Sequence, residues 1–295
     1  MHTIRSRIRL VNADLHRRIQ RYGWDRAADL YEPLWQAQLA DARATVLEFA
    51  HLKPGEQVLD VACGTGLVTF EAARAVGPEG RVLGIDVSRR MVELALRRAQ
   101  RLETTNCSFA AMGAEQLILP DASFDVVLCT LGLMYVPDPE RALREMRRVL
   151  RPGGRAVIAV WGERSKCGWS ALFPIVDAEV ASEVCPLFFQ LGQAESLARA
   201  CVDAQFDVTE QRRIATSLAF SGAQDACDAA FVGGPVALAW SRFSQDVRER
   251  VRAGYLAAIE RWRNDRGYAI PGEFLVVGAR AAARRAGHAA RSSAG

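Results

Sequence analysis

Asp60 ends an apolar run and stands just before the turn Cys63-Gly64-Thr65-Gly66, and Asp86 follows beyond the next helix-period segment. Gly64 and Gly66 have no β-carbon, so a ligand can approach their backbone closely. Asp86 lies roughly 20 residues past the turn, the spacing at which a carboxylate reaches ribose hydroxyls. A dinucleotide or an adenosyl compound could use that pair, and Asp60 separates the two. At about 5 Å and an effective dielectric of about 20, its charge would oppose a pyrophosphate by ~3 kcal/mol and attract an amino or sulfonium cation by as much. Position 69 is Thr69, so the third glycine of the dinucleotide fingerprint is missing. The loop therefore favours a cationic adenosyl ligand over a nicotinamide dinucleotide.

These side chains need a scaffold that brings strand ends together. Residues 57–62, 81–87, 106–112, 124–130 and 155–161 have the composition of short strands. A helix is expected over 67–76. Another follows an N-cap at Ser88, with apolar positions Met91, Leu94, Ala95 and Ala99. A third is expected after Asp138, with Pro139 in its first turn and the stripe Ala142, Leu143, Met146, Val149 and Leu150, ended by the turn 151–154. Five alternations of strand and helix imply an α/β fold with a mostly parallel sheet and helices on both faces. Ligands of such sheets sit beyond the carboxyl ends of the strands, where Asp60, Asp86, Ala114, Glu115 and Leu131 fall. After Trp161 the pattern changes: 162–200 is helical and loop-like, 206–214 and 274–279 are late strands, and a helical insertion lies between them.

The runs VLDVACGTGLVTFEAA, VLGIDVSRRMVELA and LPDASFDVVLCTLGLMYVPDPERALREMRRVLRPGGRAVIAVW together resemble the class I S-adenosylmethionine-dependent methyltransferases. They are most similar to the ubiquinone/menaquinone C-methyltransferase-like group. The resemblance covers about residues 20–161, and more weakly the rest. It implies a Rossmann-like sheet of seven strands, the last two antiparallel additions, with the N-terminal helix and the 162–200 segment covering the site. It implies that Asp60 and the loop Ala62, Cys63, Gly64, Thr65 and Gly66 hold the methionine part of S-adenosylmethionine, and that Asp86 binds ribose. Val87 and Met91 would flank the adenine, Ala114 and Glu115 would lie by its edge, and Leu131 would face the methionine and the substrate. Gly113 stands where such proteins often carry an aspartate for the adenine amino group, so that contact falls to backbone groups, Glu115 or water.

The segment 24–31 resembles the family's first helix, whose aromatic residues approach the methionine end. Trp24, Tyr31, Tyr135 and Trp161 are the candidates for the substrate pocket, and Tyr31 and Tyr135 for catalysis; each could equally be core packing. His16 is read as exposed and His51 as part of a helix-ending turn, which leaves no histidine base and an acceptor that is itself nucleophilic or gives its proton to a tyrosine or carboxylate. No metal-ligand spacing occurs.

With 295 residues, half of them apolar, and a formal net charge of +4, the chain has the composition of an ordinary globular protein, without the concentrated basic face of a nucleic-acid binder. Arg5, Arg7, Arg9, Arg17, Arg18 and Arg21 are read as a solvated helix face. No apolar run reaches membrane-spanning length, no signal-peptide core is present, and the seven cysteines are scattered, so a cytoplasmic enzyme with reduced thiols is expected. The expected division is an N-terminal helical cover over 1–45, a cofactor-binding core over 46–161, a substrate cover with the last strands over 162–280, and a disordered tail over 281–295. The expected acceptor is a small apolar or aromatic molecule, and the apolar insertion permits a homodimer. The alternatives are an NAD-dependent oxidoreductase on a related sheet and a non-catalytic cofactor-binding module.

Overall fold

A computed structural model describes residues 13–180 and 188–282. Arg5, Arg7, Arg9, Cys185 and the tail beyond 282 lie outside the described residues. Helices α1 (Ala13–Trp35) and α2 (Ala40–Ala50) precede strand β1 (Gln57–Val61). Then come α3 (Leu67–Val76), β2 (Arg81–Asp86), α4 (Arg89–Arg101), β3 (Cys107–Ala111), β4 (Phe124–Thr130), α5 (Pro139–Val149) and β5 (Leu150–Trp161). Short helices α6 (Leu172–Asp177) and α7 (Ser196–Asp203) lead to β6 (Phe206–Phe220). The insertion is α8 (Ala223–Phe231), α9 (Ala237–Arg242) and α10 (Gln245–Ile259), and β7 (Arg263–Asn264) and β8 (Gly267–Ala281) close the chain.

The sheet runs β3-β2-β1-β4-β5-β8-β6, with the two-residue β7 paired to β8 alone. The first five strands are parallel, and β8 lies antiparallel between β5 and β6. The path thus has the seven strands expected, and β7 is a short addition. Val58, Leu59, Val126, Val127, Leu128 and Ile158 are inaccessible to solvent, as central strands covered on both faces require. Ala142, Leu143, Met146 and Val149 of α5 are equally buried, so the stripe read from the sequence is the face that packs on the sheet.

Two boundaries differ from expectation. β6 and β8 each extend over 15 residues and pair from Phe206–Ala281 to Phe220–Tyr268. Much of this antiparallel arm alternates inward and outward residues, including Thr216 and Arg212, and its polar outer face hides the strand from a search for apolar runs. β5 begins at Leu150 rather than 155, because Leu150 pairs with Phe124 before an irregularity that accommodates residues 151–154. The last strand also carries order to Ala281, a residue assigned to the tail on sequence.

Both sequence-level caps form. Ser88 Oγ accepts from the Met91 amide at 3.1 Å, and Asp138 Oδ1 from the Arg141 amide at 2.9 Å. Ser88 also donates to Asp25 Oδ1 at 2.7 Å, which ties α1 to the start of α4. Arg90 pairs with Asp29 at 2.7 Å and Arg98 with Glu32 at 2.6 Å along the same contact. This seam holds α1 across the strand ends with Trp24 and Tyr31 among the groups lining the site. Among the described residues no helix is long and apolar enough to cross a membrane.

Candidate active site

A cleft of about 790 Å³, partly open to solvent, lies over the carboxyl ends of β1, β2 and β4. Ala62, Gly64, Asp86, Val87, Met91, Ala114, Glu115 and Leu131 line it, together with Trp24, Tyr31 and Tyr135. The loops that end β1 and β4 are tightly fitted: a β-carbon on Gly132 would sit 2.3 Å from that of Ala62. Ala62 and Leu131 themselves adopt φ of 58° and 60°, a region costly for residues with a side chain. Such strain, of order 1–3 kcal/mol each, is tolerated where it shapes a binding surface.

Two smaller spaces share walls with the cleft. One, of about 370 Å³, is lined by Arg43, Asp60, Ala62, Cys63, Gly64 and Thr130 among others. Asp60 is 1% exposed. Its Oδ2 accepts a 2.6 Å hydrogen bond from the Thr69 hydroxyl, while Oδ1 is buried without a partner among the described residues. Burial, reinforced by the Asp86 charge, pushes the Asp60 carboxyl up to about 7. Arg43 reaches the same space from α2. Its Nη1 bonds Glu71 at 3.0 Å and its Nη2 the Gln36 carbonyl at 3.3 Å, and its Nε is buried without a partner among the described residues. The wall of one narrow arm therefore includes a carboxylate and a guanidinium, each with one buried atom that lacks a partner among the described residues. That donor set matches a zwitterionic α-amino acid, one group for each charge.

Asp86 shapes the glycine turn as well as lining the cleft. Its Oδ2 accepts from the Gly64 amide at 2.9 Å and its Oδ1 from the Ser88 amide at 2.8 Å. Burial outweighs these bonds and raises its carboxyl to about 6. Each oxygen keeps lone-pair capacity for a hydroxyl donor. Thr65 and Gly66 do not line these three spaces. Gly66 has φ of 86°, and a β-carbon there would meet Phe70 at 2.8 Å and Phe109 at 3.0 Å, so backbone shape and packing require the glycine.

At the far end of the cleft, Glu115 is 6% exposed and both its oxygens are engaged: Oε2 by Arg17 at 2.8 Å, Oε1 by the Asp138 amide at 3.0 Å. Gly113 faces open space in the same wall. The solvated-face reading of Arg17 is corrected in part: its side chain stays 39% exposed, but its guanidinium bonds Glu115, 98 residues along the chain, in the cleft wall. His16 is likewise corrected from exposed to buried. It bonds Gln20 at 3.2 Å, and burial, then the Arg17 charge, lowers its pKa.

The third space, of about 330 Å³ with its solvent-open part included, is walled by Trp24, Tyr31, Trp35, Leu131, Tyr135, Trp161 and Trp169 among others. Trp161 serves core and cavity together: it is 3% exposed, packs on Phe274 at 4.3 Å and still lines the space. Trp24 stands edge-on to Tyr31 at 5.6 Å and to Tyr135 at 5.0 Å. Tyr31 and Leu131 belong to the walls of all three spaces. Burial and the Asp86 charge push the Tyr31 phenol well above its ordinary value, so it stays protonated. The Cys63 thiol, in the arm lined by Asp60 and Arg43, is pushed well up by burial and is no nucleophile.

The site residues that sequence reasoning missed include Arg43, Arg17, Gln20, Trp35 and Trp169. Arg43, Arg17 and Gln20 arrive from helices that precede the first strand and touch the site only through tertiary packing. The available signal for Arg43 was that it is the single cation of the helix ADARATVLEFA.

Residues 52–222 match the family model described as a methyltransferase domain. The demethylmenaquinone methyltransferase of Listeria welshimeri is 35% identical over 131 residues, which is 44% of this chain and 56% of that one. The chain spans a third to just over half of the length of the curated relatives it matches. Among solved structures, the cyclase SpnF superposes with a TM-score of 0.55 at 24% identity, over 84% of this chain and 83% of that one. The phosphoethanolamine N-methyltransferase 2 of Haemonchus contortus, solved with phosphomonomethylethanolamine and S-adenosylhomocysteine, superposes with a TM-score of 0.54 at 16% identity, over 82% of this chain and 52% of that one. A cyclase and a methyltransferase on one fold mean that the architecture alone does not decide the reaction.

Proposed function

This chain belongs to the methyltransferase-domain family, and on that premise we propose that it transfers the methyl group of S-adenosylmethionine to a small apolar or aromatic acceptor, in line, at the junction between Tyr31 and Leu131. The observation that carries this reading is the meeting of three spaces of different chemistry at those two residues. The arm with Asp60 Oδ1 and Arg43 Nε suits the ammonium and carboxylate of a methionyl group. The cleft with Asp86, Val87, Met91, Ala114 and Glu115 suits an adenosine. The aromatic arm, without a charged side chain in its wall, suits the acceptor.

When bound, S-adenosylmethionine supplies a methyl group already activated by its sulfonium. The protein's task is then mainly to hold the acceptor against that methyl, and such positioning contributes ~7–11 kcal/mol. The Asp86 charge opposes ionisation of Asp60 in the buried cleft, and a cationic ligand relieves that opposition. Ala62, Cys63 and Gly64 form the floor on which the methionyl part rests, with Thr65 and Gly66 completing the turn. Tyr31, held protonated, walls the junction and can donate a hydrogen bond, but cannot take a proton from the acceptor. Tyr135 borders the cleft and the aromatic arm and is the second polar group available to the acceptor. The acceptor therefore brings its own nucleophile.

Incubation with radiolabelled methyl donor and a panel of small aromatic and apolar metabolites, followed by product mass analysis, tests the reading. A product heavier by one methyl group supports it. Donor binding without transfer to any compound class would favour a non-catalytic module.

A further inference from the structure

Two tryptophans in the wall of the aromatic arm beyond Tyr31 and Leu131 have unmet hydrogen-bond donors. Trp35 and Trp169 are 6% and 3% exposed, their rings lie 6.3 Å apart in an edge arrangement, and both line the arm. Each indole Nε1 is buried without a hydrogen-bond partner among the described residues. Folded proteins satisfy nearly all such groups, so two in one cavity wall call for a reason. The remaining wall offers aromatic faces and aliphatic groups, with Trp161 at 4.8 Å from Trp169.

We infer that this arm is a recognition site for a flat, uncharged molecule whose oxygen lone pairs accept hydrogen bonds from the indole N–H groups of Trp35 and Trp169. This rests on the methyltransferase reading of the junction and names the acceptor's chemistry. An indole N–H only donates, so the ligand must present lone pairs, as a ketone or ether oxygen does. The rings supply apolar area and stacking for a planar skeleton. A cation would find ring faces here, but its own donors would leave both N–H groups unmet. An anion would enter a wall with no cation to balance it. Trp35 and Trp169 thus determine specificity, each through one atom.

The test compares two probes of nearly the same shape, 1-tetralone with its ketone oxygen and tetralin without it, plus phenyltrimethylammonium as the cationic rival. Calorimetry on the full chain saturated with S-adenosylhomocysteine is expected to give about ten-fold tighter binding of 1-tetralone than of tetralin. Trp35→Phe and Trp169→Phe should each reduce that preference and together remove it, with tetralin binding within about two-fold of wild type. Because these substitutions alter a buried cluster, nitrogen–proton NMR of the unsubstituted protein provides a second readout. 1-Tetralone should shift two indole N–H signals that tetralin leaves in place. Equal affinity for the two neutral probes, unmoved indole signals, tighter binding of the cation, or no binding of any probe would overturn the inference. Failure of S-adenosylhomocysteine itself to bind would instead overturn the reading of the cleft.

Discussion

The Thr69 hydroxyl donates a 2.6 Å hydrogen bond to Asp60 Oδ2 and leaves Oδ1 of the same carboxylate buried and unpaired among the described residues. One oxygen is fixed by the fold, and in the proposed binding mode the other meets the ligand's ammonium. The arrangement costs the ligand-free protein stability once Asp60 ionises. Its carboxyl is raised from an ordinary 3.8 to about 7, chiefly by burial. A carboxyl with a folded pKa above its unfolded value favours the protonated form on folding. Its contribution is full below about pH 4 and is lost as pH rises through about 7. Thermal melts of the ligand-free chain should therefore show wild type losing stability between pH 5 and pH 8 more steeply than Asp60→Asn, by up to ~1.4 kcal/mol per pH unit. Asp86, raised to about 6, acts in the same direction and remains in both proteins. Parallel pH profiles would contradict this.

Ligand binding should show the opposite dependence. The ammonium needs an ionised Asp60, so below about pH 7 binding must expel a proton. S-adenosylmethionine affinity should fall by about ten-fold per pH unit below that point. Calorimetry in buffers of different ionisation enthalpy should detect the released proton in wild type and a smaller release in Asp60→Asn.

Tyr31 is expected to act by shape. Its phenol is held above its ordinary range by burial and by the Asp86 charge, so it does not serve as a base near neutral pH. Tyr31→Phe should change kcat by less than about ten-fold and leave the pH profile between 6 and 9 unaltered. Tyr31→Ala, which opens the junction of the three spaces, should lower kcat/KM by about 10²-fold. A pH limb lost in Tyr31→Phe would show that the hydroxyl handles a proton.

Two glycines of the cleft region should respond to substitution to very different degrees. Gly66→Ala meets an unfavourable φ of 86° and the rings of Phe70 and Phe109, and should cost about 2–4 kcal/mol in denaturant unfolding. Gly113→Ala enters open space and should cost less than about 1 kcal/mol.

The legible parts of this protein were local. Asp60, Gly64 and Asp86 lie in strand–turn–helix units whose spacing alone carries meaning, and Ser88 and Asp138 announce their helices within four residues. Trp24 and Tyr31 were legible through the resemblance, and the structure brings both to the cleft. The long arm of β6 and β8 was half seen because its polar outer face breaks the apolar run. Gly66 was assigned to ligand approach, and the structure adds a packing reason for the glycine in the rings of Phe70 and Phe109. Arg43 and Arg17 were invisible as site residues, since their partners Glu71 and Glu115 lie 28 and 98 residues away. No periodicity marks such pairings, which are products of how α1 and α2 dock on the sheet. Trp35 and Trp169 were unmarked for the same reason, because their shared cavity forms only when α1 meets the segment after β5.

The most direct test of the account compares S-adenosylmethionine with 5′-methylthioadenosine, which keeps the nucleoside and lacks the amino-acid end, by calorimetry on wild type, Asp60→Asn and Arg43→Met. The account predicts that either substitution weakens S-adenosylmethionine by about 10- to 100-fold and methylthioadenosine by less than about three-fold. Equal losses for both ligands, or no loss for either, would contradict the claim that Asp60 and Arg43 read a zwitterion.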